Sequence, residues 1–357
     1  MVMTDFAVSE NDDRDRGGPA QPLLTVNGLK KHFAIRGGVL GRVKAHVRAV
    51  DGISFTVRKG ETLGIVGESG CGKSTVARLL MRLIPPDAGE QIFDGEAVGE
   101  PRGITVAEMR RQVQMVFQDS ASSLNPRMPV QNSIAFGPIA FGAKEAEAIG
   151  MARELLVKVG LNPALFGGRY PHELSGGQKQ RVNIARALAM KPRMIILDEA
   201  VSALDKSIEA QVLNLLQALK RDLNLTYVFI SHDLGVVRWI SDRVMVMYLG
   251  EVVEIGPADQ LYNNPKHPYT RALLASRPAL DPDHRREEAP VSGDPPNPIN
   301  PPSGCRFHTR CPNAEAVCSL KAPVLMQHDA DTHAAACHME DPTSGHTQAV
   351  RPQGMQH

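Results

Sequence analysis

Two kinds of hydrophobic pattern alternate along the chain from Leu23 to about Pro257. Short continuous apolar runs, typical of strands buried on both faces, are separated by longer stretches with helical spacing. The clearest runs are TLGIV (62–66), MIIL (194–197) and YVFI (227–230), and each is followed by a polar or glycine-rich turn. This alternation predicts an α/β fold with a largely parallel sheet, whose ligands bind where the strands end.

The pattern changes in the middle and toward the end of the chain. Residues 120–175 lack strand-like runs, and residues 143–159 have the composition of a helix, so we predict a helical insert there. Residues 244–255 predict a hairpin that turns at Leu249 and Gly250. The prolines of DPPNPINPP (294–302) predict an extended linker.

Four regions follow from these patterns. We expect unstructured tails at residues 1–21 and 341–357, which are polar. Between them lie an α/β domain at residues 22–275 and an extension at residues 276–340.

Composition and charge narrow the classes of function. The 357 residues include 40 Lys+Arg and 39 Asp+Glu, for a formal net charge of +1, and only 4% are aromatic. Neither a field of one sign nor stacking surfaces are available, so a nucleic-acid partner is not expected. The polar start lacks the apolar core of a secretory signal, and no run of about 20 apolar residues could span a membrane. We therefore expect the chain to remain in the cytoplasm.

The sequence GESGCGKS at residues 67–74 satisfies the phosphate-loop pattern G-x-x-x-x-G-K-[ST] and lies between a predicted strand and an apolar helix. Glycines let the backbone wrap a phosphate, and the helix start supplies partial positive charge. Lys73 adds a full charge toward the β- and γ-phosphates, and the Ser74 hydroxyl suits Mg²⁺. The alternative is a glycine-serine turn that matches by chance. The predicted nucleotide contacts here are Gly67, Ser69, Gly70, Cys71, Gly72, Lys73, Ser74 and Thr75.

The apolar run at residues 194–197 ends in two carboxylates. Asp198 suits a contact to Mg²⁺ through water, and Glu199 suits a general base that polarises an attacking water. Alone this pattern is weak, but it follows a phosphate loop at a suitable distance. Together the two motifs predict a P-loop nucleotide hydrolase without choosing its family.

The pentapeptide LSGGQ at residues 174–178, followed by KQRVNIARALA, resembles the signature motif of the ABC ATPases. A serine and two glycines at a helix start offer a hydroxyl and free amides to an anion. The other family motifs follow in order. VFQD (116–119) resembles the Q-loop, SALD (202–205) resembles the D-loop and SHD (231–233) resembles the switch region.

This resemblance covers about residues 23–275 and implies an ATP- and Mg²⁺-dependent ATPase that works as a head-to-tail dimer of nucleotide-binding domains. Gln118 would then contact Mg²⁺, together with Ser74 and Asp198, or the attacking water. His232 would sense the γ-phosphate. The signature and D-loop would supply further nucleotide contacts, with Ser175 and Gly177 reaching the nucleotide of the partner subunit. These contacts are Ser175, Gly176, Gly177, Gln178 and Asp205.

Phe33 is placed like the aromatic residue of these ATPases that stacks on adenine. His32 is an alternative for that role. An ordinary core position for Phe33 is equally open at this point.

Two further segments resemble the ATP-binding subunits of oligopeptide/dipeptide permeases. They are NPKHPYTRAL (264–273), with its His-Pro-Tyr triplet, and PPSGCRFHTRCP (301–312). SLNPRM (123–128) and the long loop RGGVLGR (36–42) are more similar to the second of that system's two unlike ATPases. The resemblance thus implies a heterodimer with a homologous ATP-binding subunit.

The same resemblance implies partners and a location. Two transmembrane permease subunits would hold the chain at the cytoplasmic face of the inner membrane, and an extracytoplasmic solute-binding protein would deliver the solute. Peptide is the leading solute class, although the subfamily also serves nickel, glutathione and some sugars. An ABC ATPase without a transport role is disfavoured, because the chain has neither a second cassette nor a long coiled-coil insertion.

Four of the five cysteines lie near the end of the chain with the spacing C-x₅-C-x₆-C-x₁₈-C, namely Cys305, Cys311, Cys318 and Cys337. In a reducing compartment this favours a metal site over disulfides, and four thiolates can hold zinc or an iron–sulfur cluster. Three close cysteines and a remote one suit a cubane, and the subfamily resemblance implies a 4Fe–4S cluster. Zinc and free thiols stay open. His308, His333 and His338 could replace a ligand, but we expect them to face solvent.

Overall fold

The computed structural model describes residues 20–37, 42–120, 122–276, 293–327 and 332–350, together with Asp15 and Gly18. Within these residues the strands are β1 (Pro22–Gly37), β2 (Arg42–Arg58), β3 (Thr62–Val66), β4 (Ala88–Phe93), β5 (Glu96–Ala97), β6 (Val113–Val116), β7 (Met194–Asp198), β8 (Thr226–Ile230), β9 (Arg243–Tyr248), β10 (Glu251–Pro257), β11 (Met326–Gln327) and β12 (Ala334–Ala335). The helices are α1 (Lys73–Leu80), α2 (Val106–Gln112), α3 (Val130–Ala140), α4 (Glu145–Lys158), α5 (Pro163–Phe166), α6 (Gly176–Leu188), α7 (Lys206–Leu223), α8 (Leu234–Ile240), α9 (Ala258–Asn263), α10 (Pro268–Ala275) and α11 (Ala316–Leu320).

The main sheet has the strand order β11-β12-β10-β9-β3-β8-β7-β6. Its central strands β9, β3, β8, β7 and β6 are parallel, and β10 turns back antiparallel beside β9. The predicted runs at 62–66, 194–197 and 227–230 form β3, β7 and β8. The α/β class with a largely parallel sheet is therefore confirmed.

Both faces of this sheet are covered by hydrophobic cores, which explains why its strands have continuous apolar runs. In β7, Met194 and Ile196 join the core on one face, while Ile195 and Leu197 join the core on the other. This alternation is the two-residue period of a strand. The first core lies between the main sheet and the antiparallel sheet β2-β1-β4-β5, with helices α1 and α2. The second core is covered by helices α3, α4 and α6 to α10. A strand covered on both sides is mostly apolar along its length.

The helical region follows β6. The described residues between 120 and 175 contain α3, α4, α5 and a 3₁₀ turn at Pro171–Glu173, and no strand. α4 forms where a helix is predicted at residues 143–159, and it buries Ala148, Ala152 and Leu155 against its neighbours. None of the described helices is long and apolar enough to cross a bilayer.

The C-terminal extension is built into the main sheet. β12 pairs with β10, with Ala335 opposite Glu254, and β11 pairs with β12. Phe307 is buried in the larger core, where its ring meets Tyr248 edge-on with centroids 5.4 Å apart. The extension therefore shares the core and the hydrogen-bond ladder of the ATPase domain.

Residues 341–350 differ from the predicted unstructured tail. The backbone N–H of Val350 donates to Met339 O at 2.8 Å, and buried His346 lies 2.9 Å from Asn313 O. Long-range hydrogen bonds hold this polar segment, and composition does not report them. Residues 351–357, and most of the predicted tail at 1–21, lie outside the described residues.

The His-Pro-Tyr triplet begins helix α10. His267 precedes the helix, and its Nδ1 accepts a hydrogen bond from Tyr269 N at 3.0 Å, while Pro268 occupies the first helical position. The backbone N–H of His267 donates to the buried carboxylate of Glu254 at 3.0 Å. Burial lowers the pKa of His267 to about 4, against the opposing charge of Glu254.

This burial predicts a pH-dependent stability that a His267→Asn variant should lack. The unfolded chain binds a proton at His267 near pH 6.5, but the folded chain does so only near pH 4, so stability falls as pH drops through this window. The imidazole of His267 should lower the free energy of unfolding by about 2 kcal/mol between about pH 7.5 and about pH 5. Asparagine keeps a capping side chain without titrating.

The measurement is urea unfolding of the full chain at several pH values. His267→Asn should show a shallower loss of unfolding free energy on acidification than the wild type. His172→Asn, which changes an exposed histidine, should keep the wild-type slope. Equal slopes for the wild type and His267→Asn would contradict the interpretation.

Candidate nucleotide-binding site

The glycine-rich loop at residues 67–72 joins the end of β3 to the start of α1. Gly72 has a φ of 112°, and a Cβ there would lie 2.2 Å from Ala49 O on β2. At Gly67, a Cβ would lie 2.2 Å from Met247 O on β9. Two neighbouring backbones thus press on the loop, and only glycine fits at these positions.

The first two residues of α1 supply a charged group and a hydroxyl beside the loop. The Nζ of buried Lys73 donates to the carbonyls of Gly67 at 2.7 Å and Glu68 at 3.0 Å. The Ser74 hydroxyl donates to Asp198 Oδ1 at 3.0 Å, across from α1 to the end of β7. The N-terminus of α1 adds partial positive charge to the same place. A phosphate would meet a cation, a hydroxyl and a helix start here.

Asp198 is suited to a divalent cation. Its carboxylate is buried, and burial raises its pKa, while the hydrogen bond from Ser74 lowers it and the charge of Glu199 raises it. Two adjacent carboxylates at the end of a buried strand repel each other, and a cation would relieve that repulsion. The Ser74–Asp198 pair therefore fits Mg²⁺ by its chemistry.

Glu199 is the meeting point of the other predicted residues. Its Oε2 accepts a hydrogen bond from Gln118 Nε2 at 2.8 Å and lies 3.6 Å from His232 Nδ1. These three residues follow β7, β6 and β8, so the parallel sheet delivers them to one edge. His232 remains 60% exposed, as a group that must reach a ligand requires.

The backbone at Glu199 is strained. Its φ is 47°, in the left-handed region, which costs a non-glycine residue about 1–3 kcal/mol. The conformation is held by the N–H of Glu199, which donates to Ile230 O at 2.9 Å, and by the Ser202 hydroxyl, which donates to Glu199 O at 3.0 Å. The sequence motifs assign no function to the Ser202 hydroxyl. The spacing of a serine three residues after the acid is the signal that the sequence offers for it.

The signature motif forms a separate surface. The Ser175 hydroxyl accepts from Gln178 N at 3.3 Å, and Gln178 Oε1 accepts from Ser175 N at 2.9 Å, so the two residues cap α6 reciprocally. Ser175 and Gly176 are exposed, and a Cβ on Gly177 would lie 2.4 Å from Ile208 Cγ2 on α7. In the part of the chain that the structure describes, these residues are not hydrogen-bonded to the group around Glu199. Asp205, also exposed, precedes α7.

Phe33 lies on β1 opposite Val47 and is 41% exposed. Lys31 Nζ lies 5.7 Å from the centroid of its ring. The exposure excludes an ordinary core position. Neighbouring His32 is held by Asp51, with its Nε2 3.0 Å from Asp51 Oδ1.

The four late cysteines, Cys305, Cys311, Cys318 and Cys337, line one cleft. Burial raises the pKa of the Cys305 thiol to about 12 and that of Cys337 to about 11, and the neighbouring cysteines add to both shifts. Among the described residues, no three His, Cys, Asp or Glu side chains are arranged to hold a single metal ion.

The histidines near these cysteines differ from the expectation that they face solvent. His333 and His338 are buried instead of facing solvent. His333 Nε2 lies 2.6 Å from Glu254 Oε1, and His338 Nε2 lies 2.8 Å from Lys321 O. His338 lines the cysteine cleft, and its buried Nδ1 has no hydrogen-bond partner among the described residues. His308 is half-buried, with Nδ1 2.8 Å from Cys305 O.

The phosphate loop on a central parallel strand, the carboxylate pair beside it and the LSGGQ helix define an ABC-type ATP-binding protein. Residues 50–202 match the ABC transporter family. Residues 253–318 match the C-terminal region of the oligopeptide/dipeptide transporter family.

Relatives span almost the whole chain. The oligopeptide transport ATP-binding protein AppF of Bacillus subtilis is 49% identical over 326 residues, which cover 89% of this chain and 98% of AppF. A probable peptide ABC transporter ATP-binding protein of Sinorhizobium fredii is 50% identical over 323 residues, covering 90% of this chain and 91% of the relative. The chain therefore belongs to the ATP-binding proteins of the oligopeptide/dipeptide ABC transporters, and it is an ATPase.

Solved structures agree with this family. The cbiO1 subunit of Clostridium perfringens, part of the ABC transporter complex cbiONQ, superposes with a TM-score of 0.57 at 27% identity, covering 68% of this chain and 91% of cbiO1. The ATP-binding cassette MJ0796, a dimer bound to ADP and Pi after hydrolysis, superposes with the same TM-score of 0.57 and 27% identity, covering 66% of this chain and 98% of the cassette.

Proposed function

We propose that this chain is the ATP-hydrolysing motor of an importer for short peptides. The observation that carries the ATPase role is the convergence of Gln118 and His232 on one oxygen of Glu199, beside the Ser74–Asp198 pair. The peptide role is supported by relatives that are named as peptide and oligopeptide transport ATP-binding proteins.

The chemistry follows from these side chains. Lys73 and the loop amides hold the β- and γ-phosphates, and Phe33 offers a ring face to the adenine. Mg²⁺, bound by Ser74, Asp198 and Gln118, would neutralise phosphate charge. Glu199 orients a water and takes its proton as the water attacks the γ-phosphorus and the bond to ADP breaks. His232 hydrogen-bonds to the γ-phosphate.

A second subunit completes the site. Ser175, Gly176, Gly177 and Gln178 present a hydroxyl and a helix start that make no hydrogen bond to the chain's own phosphate loop among the described residues, so they suit the nucleotide of a partner. Asp205 lies at the neighbouring start of α7. We propose a head-to-tail heterodimer with a homologous ATP-binding subunit. ATP holds the two subunits together, and hydrolysis releases them.

The heterodimer would act at the cytoplasmic face of the cell membrane. Two permease subunits would receive its motion through the helical region α3–α5, and a solute-binding protein would present the solute outside. Nickel, glutathione and sugars are the alternative solutes within the same transport role.

A Glu199→Gln variant should bind ATP but not turn it over. Glutamine keeps the shape and the hydrogen bond to Gln118 but cannot accept a proton, so kcat should fall at least about 100-fold. The measurement is phosphate release by the assembled complex, alongside nucleotide binding to the full chain. Asp222→Asn, at the exposed end of α7, should match the wild type. An unchanged rate in Glu199→Gln would contradict the role of this carboxylate.

Solute identity is tested with the complex in lipid vesicles, containing both ATP-binding subunits, the permease subunits and the cognate solute-binding protein. Short peptides should raise its ATP hydrolysis several-fold, and the stimulation should disappear in Glu199→Gln. Nickel, glutathione and sugars are assayed beside the peptides. Stimulation by one of these and not by any peptide would overturn the peptide assignment while leaving the ATPase intact.

We also propose that Cys305, Cys311, Cys318 and Cys337 hold a 4Fe–4S cluster. One zinc ion needs its thiolates within about 4 Å of each other, since Zn–S is about 2.3 Å. A cubane holds them farther apart, because each thiolate binds a different iron. Either site would draw on the cleft that the four cysteines line, and the resemblance to the permease subfamily favours the cluster. The cluster would act as a structural staple.

Anaerobically purified chain should be brown and contain about four irons. Cys318→Ala should lose most of the iron, whereas Cys71→Ala, which changes the cysteine of the phosphate loop, should retain it. Stoichiometric zinc with no visible absorption would show that the cysteines hold zinc and not an iron–sulfur cluster. A metal-free chain of normal stability would show that the cysteines are free thiols.

A further inference from the structure

The short loop between Cys305 and Cys311 contacts the phosphate loop directly. Arg310 forms a two-pronged ion pair with Glu68, the second residue of GESGCGKS, with Nη1 2.9 Å from Oε2 and Nη2 3.1 Å from Oε1. The pair is largely shielded, with the side chains 7% and 24% exposed. Such a fork is the strongest geometry of an arginine–carboxylate pair.

Glu68 is fixed at two further points. Its backbone N–H donates to the hydroxyl of fully buried Tyr269 at 2.8 Å. Its carbonyl accepts from Lys73 Nζ at 3.0 Å and from Cys71 N at 3.2 Å. Arg310 and Tyr269 therefore hold the same residue, Glu68, whose carbonyl accepts a hydrogen bond from Lys73.

The second arginine of the Cys305–Cys311 loop supports the neighbouring turn. Arg306 donates to Leu249 O, and its Nε lies 3.0 Å from Glu251 Oε1. In that turn, the Gly250 N–H donates to Cys71 O at 2.9 Å. The cysteine segment thus reaches the phosphate loop by two routes, one through Glu68 and one through the turn after β9.

We infer that Arg310 and Tyr269 are positioning residues for ATP, which hold the phosphate loop in its binding shape through Glu68. The inference rests on the proposed nucleotide role of that loop. Its glycines leave the loop little rigidity of its own, so an unheld loop would lose conformational entropy on binding phosphate. Anchors outside the loop fix it before the ligand arrives. Loss of either anchor should weaken ATP binding more than it slows the hydrolysis of bound ATP.

A purely structural role makes a different prediction. If Arg310 only fastened the C-terminal segment to the domain, its loss would lower stability and leave nucleotide affinity unchanged. If it acts through Glu68, its loss should have no further effect once Glu68 is removed, because interacting residues are not additive.

The experiment titrates the full chain with a fluorescent ATP analogue and Mg²⁺, and follows unfolding in parallel. Arg310→Met and Tyr269→Phe should each raise the dissociation constant about five- to twentyfold. Arg310→Lys keeps the charge but not the two-pronged hydrogen bonding, so its dissociation constant should lie between those of the wild type and Arg310→Met. Tyr227→Phe is the matched control, because it removes a buried hydroxyl bonded to Leu216 O, away from the loop, and should bind like the wild type.

The double variant decides the mechanism. Arg310→Met should weaken binding in the wild type and have no further effect in Glu68→Ala. Additive losses, or wild-type affinity in both Arg310→Met and Tyr269→Phe, would overturn the inference. Lys73→Ala separates this failure from that of the proposed function. If Lys73→Ala binds ATP normally, the loop is not the nucleotide site. If Lys73→Ala loses ATP binding while the Arg310 and Tyr269 variants keep it, the loop remains the nucleotide site and the inference about its anchors is wrong.

Discussion

The parallel strands β3, β7 and β8, buried on both faces, are the constraint on which the site depends. Because both faces are apolar, the polar groups of the site stand at or just after the carboxyl ends of the strands. These ends meet at one edge, which brings Ser74 within 3.0 Å of Asp198 and Gln118 within 2.8 Å of Glu199. The sheet thus makes neighbours of residues that are more than 80 positions apart in the sequence. The core that stabilises the fold is thus the scaffold of the chemistry.

Close packing around that edge also sets the local strain. The phosphate loop is pressed by the backbones at Ala49 and Met247, so glycine is needed at positions 72 and 67. Glu199 tolerates a left-handed backbone because the end of β8 holds its amide. The backbone thus fixes the position of the Glu199 carboxylate, which would reduce the reorganisation required of it in the proposed role of general base.

The C-terminal extension is held to the main sheet through a buried carboxylate. Buried Glu254 on β10 accepts hydrogen bonds from the backbone of Lys266 and His267 and pairs with His333, so one carboxylate joins the sheet, the His-Pro-Tyr turn and the extension. Hydrogen bonds from several donors outweigh the burial of Glu254 and lower its pKa. The cysteine segment is therefore part of the structure that supports the phosphate loop, through Arg306 and Arg310.

The sequence alone determined the α/β class, the strands β3, β7 and β8 and the motifs of the site, because buried parallel strands and phosphate loops impose strong local patterns. Only the tertiary structure decided the burial of His333 and His338, the order of residues 341–350, and the roles of Glu68, Ser202 and Tyr269. Their positions depend on partners 3 to 242 residues away, such as Glu68 on Arg310. A one-dimensional pattern records which side chain is present, and the packing of distant segments decides what it touches.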